Sequence, residues 1–367
     1  MTAFTATDRE HMARALALAE KGLFTTTPNP RVGCVIVKQG VVVGEGFHVR
    51  AGESHAEVNA LADALARGVD PRGATMYVTL EPCNAQGRTP PCVDAIIEAG
   101  IARVVVALRD PNPAQSQGGD RLHAAGIDIA WGLLEGDARE LNVGFVSRMT
   151  RGRPWVRVKL AASLDGRTAL ASGESQWITG PEARADGHVW RARACAILTG
   201  VGTVLHDDPE LTVRTVAIPR QPLRVIIDRH AQTPATARVL DGNNALLVTA
   251  GERNAAWPAA CEVLTLPDAN GRVDLPALMR TLASRGVNEL HVEAGAKLTG
   301  ALLDAELIDE LLLYLAPAVI GDPARGMFER PSPLTTLAMT TRVAWHGIER
   351  IGGDLRVLAR VSPPGGS

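Results

Sequence analysis

Aromatic residues are scarce in this sequence, and neither sign of charge prevails. Phe, Trp and Tyr make up 4% of the 367 residues, and 38 Lys and Arg stand against 40 Asp and Glu, for a formal net charge of −2. Proteins that bind nucleic acid usually carry a basic excess that neutralises phosphates and aromatic side chains that stack on bases. The composition therefore argues against a nucleic-acid partner and favours a small-molecule substrate, which is free to carry a phosphate of its own.

Cysteines are few, and long apolar runs are missing. No run approaches the roughly 18 residues of a membrane-spanning helix, and Met1 to Glu10 lack the apolar core of a signal peptide. An odd number of cysteines in a long chain argues against a disulfide framework and for a reducing compartment. The five are Cys34, Cys83, Cys92, Cys195 and Cys261. We therefore expect a cytoplasmic protein with no membrane partner.

Helix and strand patterns alternate along the chain, which predicts an α/β layer fold. With 46% hydrophobic residues, a chain of this length suits two ordinary cores better than one. The stretch 150–154 combines Arg, Gly and Pro, and we place a boundary there. The expected domains are 1–150 and 151–367. The first should open with a helix capped by Thr7 and Glu10, and the second should close with an edge hairpin over 342–361.

One histidine and two cysteines of the first half have the residue types of a catalytic zinc site. Such a site takes three protein ligands and leaves one position for water, and imidazole and thiolate suit zinc well. His55, Cys83 and Cys92 supply that count. Zinc lowers the pKa of a bound water, and a carboxylate that is not a ligand must then carry protons. Glu57, two residues from His55, suits that role, as in the zinc deaminases.

Two other interpretations of these residues stay open from the sequence alone. Zinc deaminases commonly place the second cysteine three residues after the first, whereas eight residues separate Cys83 from Cys92 here. A structural zinc site would need a fourth ligand, and none is obvious nearby. Two core cysteines with an unrelated histidine would need no metal. The remaining cysteines lie in or beside apolar strand patterns and are expected to be plain core residues.

The second half carries weaker signals of function. Gly200-Val201-Gly202 follows a predicted strand, but Leu205 occupies the third glycine position of a dinucleotide fingerprint. The turn either approaches a phosphate through its amides or simply joins strand to helix. Glu293 is either a substrate contact or a solvated carboxylate. Arg184 and Arg191 share a helical face, which either binds phosphate or faces solvent.

Motifs in both halves resemble one known family. Those of the first half are Thr27-Pro28-Asn29-Pro30-Arg31-Val32-Gly33, His55-Ala56-Glu57, Thr79-Leu80-Glu81-Pro82-Cys83 and Gly87-Arg88-Thr89-Pro90-Pro91-Cys92. Those of the second half are Lys159-Leu160-Ala161-Ala162-Ser163-Leu164-Asp165-Gly166-Arg167, Ser172-Gly173-Glu174-Ser175-Gln176-Trp177-Ile178-Thr179 and Thr203-Val204-Leu205-His206-Asp207-Asp208-Pro209. From residue 8 or so to near 360, the chain resembles the bifunctional deaminase–reductase family of riboflavin biosynthesis.

The resemblance implies a fold and two successive reactions. The first domain would have a cytidine-deaminase-like α/β/α fold, and the second a dihydrofolate-reductase-like α/β fold. The first would use Zn²⁺ to remove the 2-amino group of 2,5-diamino-6-(5-phosphoribosylamino)pyrimidin-4-one. The second would use NADPH to reduce the ribosyl group, which gives 5-amino-6-(5-phosphoribitylamino)uracil. The resemblance also implies a homo-oligomer, either a dimer or a tetramer.

The resemblance further implies binding residues at matching positions. Substrate contacts in the deaminase would be Asn29, His48 and, near the phosphate, Arg88. Substrate contacts in the reductase would be Ser175, Arg191, Leu211, Arg214 and Glu293. NADPH contacts would be Ala161, Trp177, Thr203, Asp207, Gly295, Ala296, Lys297 and Leu298.

One departure from the family pattern concerns Ala85 and Gln86, where many members carry histidines. Neither position is a zinc ligand or the general base, so we expect deamination to survive the change. Two rival functions are a nucleic-acid-editing deaminase and a non-catalytic scaffold derived from the enzyme. The low aromatic content opposes the first, and the presence of Glu57 with all three ligand residues opposes the second.

Overall fold

The computed structural model describes residues 4–87, 90–242, 244–321 and 323–362. The chain divides into two compact units, Met1–Gly152 and Arg153–Ser367, which we call unit 1 and unit 2. Both units mix helices with strands, as the sequence predicts. Over the described ranges, none of the helices has the length and apolarity that crossing a membrane requires.

Unit 1 is built on a five-stranded sheet in the order β2-β1-β3-β4-β5. The strands are β1 (Gly33–Lys38), β2 (Val41–Phe47), β3 (Thr75–Leu80), β4 (Arg103–Leu108) and β5 (Asp128–Trp131). The helices are α1 (Ala6–Glu20), α2 (Ala56–Ala66), α3 (Cys92–Glu98), α4 (Gly118–Ala124), α5 (Glu135–Leu141) and α6 (Val143–Arg151). β1 is antiparallel to β2 and β3, whereas β3, β4 and β5 are parallel.

The first helix begins two residues earlier than the predicted capping box. Thr5 caps α1, its Oγ1 accepts the Asp8 N–H at 3.0 Å, and Asp8 Oδ2 accepts the Thr5 N–H at 2.9 Å. The prediction that Thr7 and Glu10 form the capping box was therefore wrong by two residues. The reason is tertiary, because Asp8 is buried and also accepts hydrogen bonds from Tyr77 and Arg103.

Helix α2 lies unusually close to strand β2. A Cβ atom on Gly46 would lie 2.4 Å from the Ala60 nitrogen and 2.5 Å from the Ala56 oxygen, so only glycine fits there. The helix residues at this contact are small and buried, namely Ala56, Ala60 and Ala64. The close approach fixes the N-terminus of α2, which carries His55 and Glu57, against the sheet.

Unit 2 is built on a nine-stranded sheet in the order β11-β10-β9-β8-β12-β6-β13-β16-β15. Its strands are β6 (Trp155–Ser163), β7 (Arg167–Ala169), β8 (Ala196–Gly200), β9 (Leu223–Ile227), β10 (Ala245–Thr249), β11 (Glu262–Thr265), β12 (Glu289–Val292), β13 (Glu310–Ala316), β14 (Arg325–Gly326), β15 (Val343–Ile351) and β16 (Asp354–Val361). Its helices are α7 (Pro181–Arg193), α8 (Val201–Asp207), α9 (Leu275–Ser284) and α10 (Ala296–Asp304). Short 3₁₀ turns occupy Arg238–Leu240 and Leu337–Met339.

Most strands of this sheet run parallel, and this determines where functional residues can meet. The strands from β11 across to β13 pair in parallel, and only β16 and β15 add antiparallel edges. The last two confirm the predicted edge hairpin. Residues that follow the parallel strands therefore lie along one edge of the sheet, where ligands of α/β folds usually bind. β7 and β14 form a separate two-stranded sheet.

The contact between α2 and β2 gives a first prediction. Gly46→Ala should destabilise the folded chain by about 1–3 kcal/mol, because the new methyl group has to displace helix backbone. Gly136→Ala in α5 is the matched control, since nothing lies within 4 Å of its added Cβ. Chemical unfolding measures both variants. Equal stability of the two would contradict the proposed constraint.

Candidate functional site

The histidine and two cysteines predicted to bind zinc come together in unit 1. His55 is the N-cap of α2, Cys92 is the first residue of α3, and Cys83 follows β3. His55 Nδ1 lies 3.2 Å from Cys92 Sγ and 3.5 Å from Cys83 Sγ. All three ligand atoms lie within 4.8 Å of one another. Zinc bonds of about 2.0–2.3 Å at tetrahedral angles separate ligand atoms by about 3.5 Å, so one nitrogen and two sulfurs placed in this way fit a zinc ion.

The electrostatics of this cluster favour a cation. Cys92 donates its backbone N–H to Cys83 Sγ at 3.3 Å. Hydrogen bonding from Cys92 lowers the pKa of the Cys83 thiol, so a thiolate is available to a metal. Among the described residues, no other His, Cys, Asp or Glu joins this group of ligand atoms. The three-ligand set leaves a position for water and disfavours the structural-zinc interpretation.

Glu57 lies in the first turn of α2 and is 3% exposed. Burial raises the pKa of its carboxyl to about 7, and the charge of Cys83 acts in the same direction. A cation at the cluster would lower that pKa again. A buried carboxyl beside three ligand atoms, itself outside the ligand set, is placed to exchange protons with a molecule bound there.

Asn29 and His48 lie beside the same cluster. Asn29 Nδ2 and His48 Nε2 are 3.0 Å apart, and His48 Nδ1 lies 3.1 Å from the Ser54 carbonyl oxygen. These contacts indicate that Nδ1–H donates to Ser54 while Nε2 accepts from Asn29. Burial lowers the pKa of His48, which favours this neutral form. The ring packs edge-on against His55 at 5.2 Å between centroids.

The loop after Cys83 carries the remaining deaminase predictions. Ala85 is half-buried and Gln86 is exposed. Arg88, the expected phosphate contact, lies outside the described residues.

Unit 2 contains a cavity of about 1780 Å³ along the edge where its parallel strands end. The residues predicted to contact NADPH all line it: Ala161, Trp177, Thr203, Asp207, Gly295, Ala296, Lys297 and Leu298. The turn Gly200-Val201-Gly202 also lines this cavity. The cavity therefore combines strand ends, a glycine turn and the N-terminus of α10, and such features can accommodate a phosphorylated cofactor.

The predicted substrate residues of unit 2 divide between the cavity and its surroundings. Ser175 and Glu293 line the cavity. Arg191 reaches Glu293 through two hydrogen bonds, Nε to Oε1 at 2.5 Å and Nη2 to Oε2 at 2.8 Å. Leu211 is buried and Arg214 is exposed, and neither is among the cavity-lining residues. Their segment is tied to Arg191, whose Nη1 donates to the Thr212 carbonyl oxygen at 3.0 Å.

Glu293 has two further neighbours that the sequence did not single out. His291 Nε2 lies 3.3 Å from Glu293 Oε1, and Lys159 lines the cavity close enough for its charge to act on Glu293. Burial raises the pKa of Glu293, but the charge and hydrogen bonds of Arg191, together with His291 and Lys159, outweigh this and hold it well below its usual range. The sequence offered one signal for His291: side chains alternate between the faces of an extended strand, so residues 291 and 293 share a face.

Arg184 does not simply face solvent, which was one of the two interpretations of its helix face. Its Nη1 donates to the Thr179 carbonyl oxygen at 2.7 Å, and its guanidinium lies 4.5 Å from the centroid of the Trp177 ring. Trp177 is 69% exposed although it lines the cavity. Arg184 therefore holds a large aromatic side chain at the cavity mouth.

Comparisons with known proteins agree with these two sites. The family model "Cytidine and deoxycytidylate deaminase zinc-binding region" matches residues 5–108, and "RibD C-terminal domain" matches residues 154–357. The riboflavin biosynthesis protein RibD of Escherichia coli is 48% identical, and the match covers 95% of this chain and 98% of that protein. RibD of Haemophilus influenzae is 47% identical over 97% of this chain and 98% of its own length.

Solved structures give the same result for the fold. One form of Acinetobacter baumannii RibD superposes with a TM-score of 0.89 at 40% identity, covering 97% of this chain and 99% of that one. A Thermotoga maritima diaminohydroxyphosphoribosylaminopyrimidine deaminase/5-amino-6-(5-phosphoribosylamino)uracil reductase superposes with a TM-score of 0.89 at 35% identity, with the same coverage. The cytidine-deaminase-like and dihydrofolate-reductase-like folds are thereby confirmed.

Fold and sites together define a bifunctional enzyme in which a zinc-dependent deaminase precedes an NADPH-dependent reductase. The chain belongs to the RibD family of riboflavin biosynthesis. The expected enzyme class and both cofactors are confirmed by this membership.

The ligand cluster gives a second prediction. Cys83→Ser should lose most of its zinc during dialysis against a chelator, because a hydroxyl replaces the thiolate. Cys34→Ala should retain zinc, since Cys34 lies in β1 outside the cluster. Metal analysis by mass spectrometry measures both variants. Full zinc retention in Cys83→Ser would remove Cys83 from the ligand set.

Proposed function

We propose that the two sites catalyse successive reactions on one phosphorylated pyrimidine. Unit 1 removes the 2-amino group of 2,5-diamino-6-(5-phosphoribosylamino)pyrimidin-4-one, and unit 2 reduces the ribosyl group to give 5-amino-6-(5-phosphoribitylamino)uracil. The observation that carries the first step is the cluster of His55, Cys83 and Cys92 with buried Glu57 beside it. The second step is supported by the cavity that Glu293 and Ser175 share with the expected cofactor residues.

In the deaminase site, His55, Cys83 and Cys92 would hold zinc, which would supply a water nucleophile of lowered pKa. Glu57 takes up a proton and delivers protons to the ring nitrogen and the departing amine. Asn29 and His48 offer an amide and an imidazole beside the cluster and bind the substrate. Arg88 contacts its phosphate, an assignment that rests on the sequence resemblance alone.

In the reductase site, the cofactor supplies the hydride, and the protein supplies position and a dry environment. Ala161, Trp177, Thr203 and Asp207 bind NADPH from the cavity wall. Gly295 caps α10 and Ala296 to Leu298 begin it, and the N-terminus of this helix suits a cofactor phosphate.

Substrate binding in unit 2 depends on a carboxylate that stays charged. Glu293, held by Arg191, accepts hydrogen bonds from hydroxyl groups of the substrate. Ser175 lines the same cavity and contributes a hydroxyl. Leu211 and Arg214 are proposed as outer substrate contacts, because Arg191 ties their segment to this end of the cavity.

The deaminase assignment is tested with Glu57→Gln in the full chain. Deamination should fall by about 10²–10⁴-fold, because the amide cannot carry protons. Bound zinc, and NADPH consumption with the already deaminated compound, should stay at wild-type values. Glu98→Gln, on the exposed end of α3, is the control. Measurements are absorbance of the pyrimidine, absorbance of NADPH and metal content, and normal deamination by Glu57→Gln would refute the role.

We further infer a homo-oligomer, either a dimer or a tetramer, that works in the cytoplasm. All five cysteines are free, which suits a reducing compartment. Strand β15 forms an edge of the sheet of unit 2 and leaves Val343, Trp345 and Ile348 exposed. Proteins usually cover such edges, and a second copy can pair with an antiparallel edge through a two-fold axis.

The oligomer proposal is tested with Trp345→Glu. A charge at this side chain, which is 68% exposed, should lower the molar mass measured by light scattering after gel filtration. Leu65→Glu is the matched control, since Leu65 is 65% exposed on α2 of unit 1. A monomeric wild-type chain, or an unchanged mass in Trp345→Glu, would oppose the inference.

A further inference from the structure

His291 on β12 is a buried polar side chain that the proposed function leaves without a role. Its exposed fraction is 0%, and neither ring nitrogen has a hydrogen-bond partner within the part of the chain that the structure describes. Buried polar side chains are normally hydrogen-bonded, because an unsatisfied one has lost its water and gained nothing. An imidazole in this position therefore indicates a partner close by.

The neighbours of His291 in the sheet do not satisfy its ring. His291 pairs with Arg157 on β6 and with Ile197 on β8. The Arg157 guanidinium is directed to two buried glutamates, and an isoleucine side chain has no polar atom. An acceptor does lie within reach on the same strand face, because Glu293 Oε1 is 3.3 Å from His291 Nε2.

The surroundings of the ring determine which nitrogen carries the hydrogen. Burial lowers the pKa of His291, and the charges of Arg157 and Arg191 act in the same direction. Glu293 opposes these effects without reversing them, so the ring is neutral and carries one hydrogen. Glu293 keeps its negative charge and can only accept. We therefore assign the hydrogen to Nε2, the nitrogen beside this carboxylate.

The two oxygens of Glu293 then have different surroundings. Oε1 accepts from Arg191 Nε at 2.5 Å, and Oε2 accepts from Arg191 Nη2 at 2.8 Å. A carboxylate oxygen accepts about two hydrogen bonds. With His291 as a second donor, Oε1 is filled by the protein, whereas Oε2 has room for one more donor. Oε2 is therefore the oxygen that can receive a hydroxyl group.

The contact between His291 and Glu293 is long and is not yet aligned as a hydrogen bond. Hydrogen bonds in catalytic sites commonly tighten when the substrate binds. The last torsion of a glutamate side chain is soft, so a small turn of the carboxyl group can align Oε1 with Nε2. The 3.3 Å separation is therefore compatible with a bond that forms fully in the complex.

His291 reaches a bound molecule only through Glu293. Glu293 lines the cavity of unit 2, whereas His291 is fully buried and is not among the residues that line it. Groups behind a binding residue fix its orientation, and small errors of orientation reduce the rate of a reaction strongly.

We propose that His291 is a positioning residue of the reductase site, whose Nε2–H donates to Oε1 of Glu293 and leaves Oε2 to accept a hydroxyl group of the substrate. The inference rests on the proposed role of Glu293 as a substrate contact. Arg191 keeps the carboxylate at this place and charged, and His291 selects which of its oxygens faces the substrate. Loss of His291 therefore affects the substrate and leaves the cofactor unaffected.

The test measures steady-state reduction of the already deaminated compound by the full chain with NADPH. His291→Leu removes both ring nitrogens and keeps an apolar side chain in the space. Its kcat/KM for the pyrimidine should fall about tenfold or more, because a hydrogen bond to a charged group is lost. The KM for NADPH should stay within about twofold. Zinc content and deamination should stay at wild-type values.

His291→Gln and His291→Asn form a matched pair that tests the hydrogen bond itself. The amide nitrogen of glutamine reaches the position of Nε2, whereas that of asparagine reaches only the position of Nδ1. His291→Gln should keep kcat/KM within about threefold of the wild-type value. His291→Asn should lose as much as His291→Leu.

Thermal unfolding of the same variants separates positioning from packing. His291→Leu should unfold at the wild-type temperature or above it, because apolar atoms replace two unsatisfied nitrogens. A reductase activity that falls while stability is kept supports the positioning role. Activity that falls only in step with stability across the three variants would make His291 a packing residue and overturn the proposal.

Two further results would also overturn it. A wild-type kcat/KM in His291→Leu would remove His291 from the reaction. Equal activity of His291→Gln and His291→Asn would show that the hydrogen bond from the Nε2 position is not the cause, and this pair decides alone if His291→Leu does not fold.

Glu293→Gln distinguishes failure of this inference from failure of the proposed function. Normal reduction by Glu293→Gln would refute the substrate role of Glu293, and the role of His291 with it. Loss of reduction in Glu293→Gln together with normal kcat/KM in His291→Leu would refute the role of His291 alone.

Discussion

Parallel strand pairing brings together residues that are far apart along the chain. In unit 2 the neighbours β6, β12 and β8 run in one direction, so Ala161, Glu293 and Gly200 lie along a single edge of the sheet. In unit 1, β3 pairs in parallel with β4, and Cys83 follows the end of β3. The N-termini of α2 and α3 place His55 and Cys92 beside it. Each site depends on this pairing, because no local segment contains enough of its residues.

Buried ion pairs join neighbouring parallel strands of the sheet in unit 2. Arg157 on β6 is 2% exposed, and it contacts Glu289 on β12 and Glu310 on β13. The alternation of β12 continues this face through His291 to Glu293. Burying ion pairs contributes little net stability, but removing one partner costs about 3–5 kcal/mol, because the other charge is left unpaired. Such a face tolerates few alternative registers, and it therefore fixes the position of Glu293.

The residue types in the sequence predicted much of the fold and of the two sites, and the features that were missed depend on tertiary contacts. The zinc ligands and Glu57 could be identified because few residues have their chemistry, and the order of elements followed from periodicity. The N-cap of α1 was predicted at the wrong residue, because the sequence does not show that Asp8 accepts hydrogen bonds from Tyr77 on β3 and Arg103 on β4. His291 and Lys159 were given no role of their own from the sequence, since only the fold brings them beside Glu293. Strand β11 also escaped prediction, being short and half-exposed.

The two glutamates at the centres of the sites show how surroundings set the role of one residue type. Burial, with the charge of Cys83, raises the pKa of Glu57 to about 7, and a zinc ion bound beside it would lower that pKa again, so burial and metal act in opposite directions on its proton. Glu293 is largely buried, yet Arg191, together with His291 and Lys159, holds its pKa well below the usual range, so it keeps its charge and can only accept hydrogen bonds. Deamination needs a group that carries protons, and reduction of a sugar needs one that holds hydroxyl groups still. The neighbours of each carboxyl, three zinc ligands in one unit and a guanidinium in the other, therefore suit it to the reaction proposed for that unit.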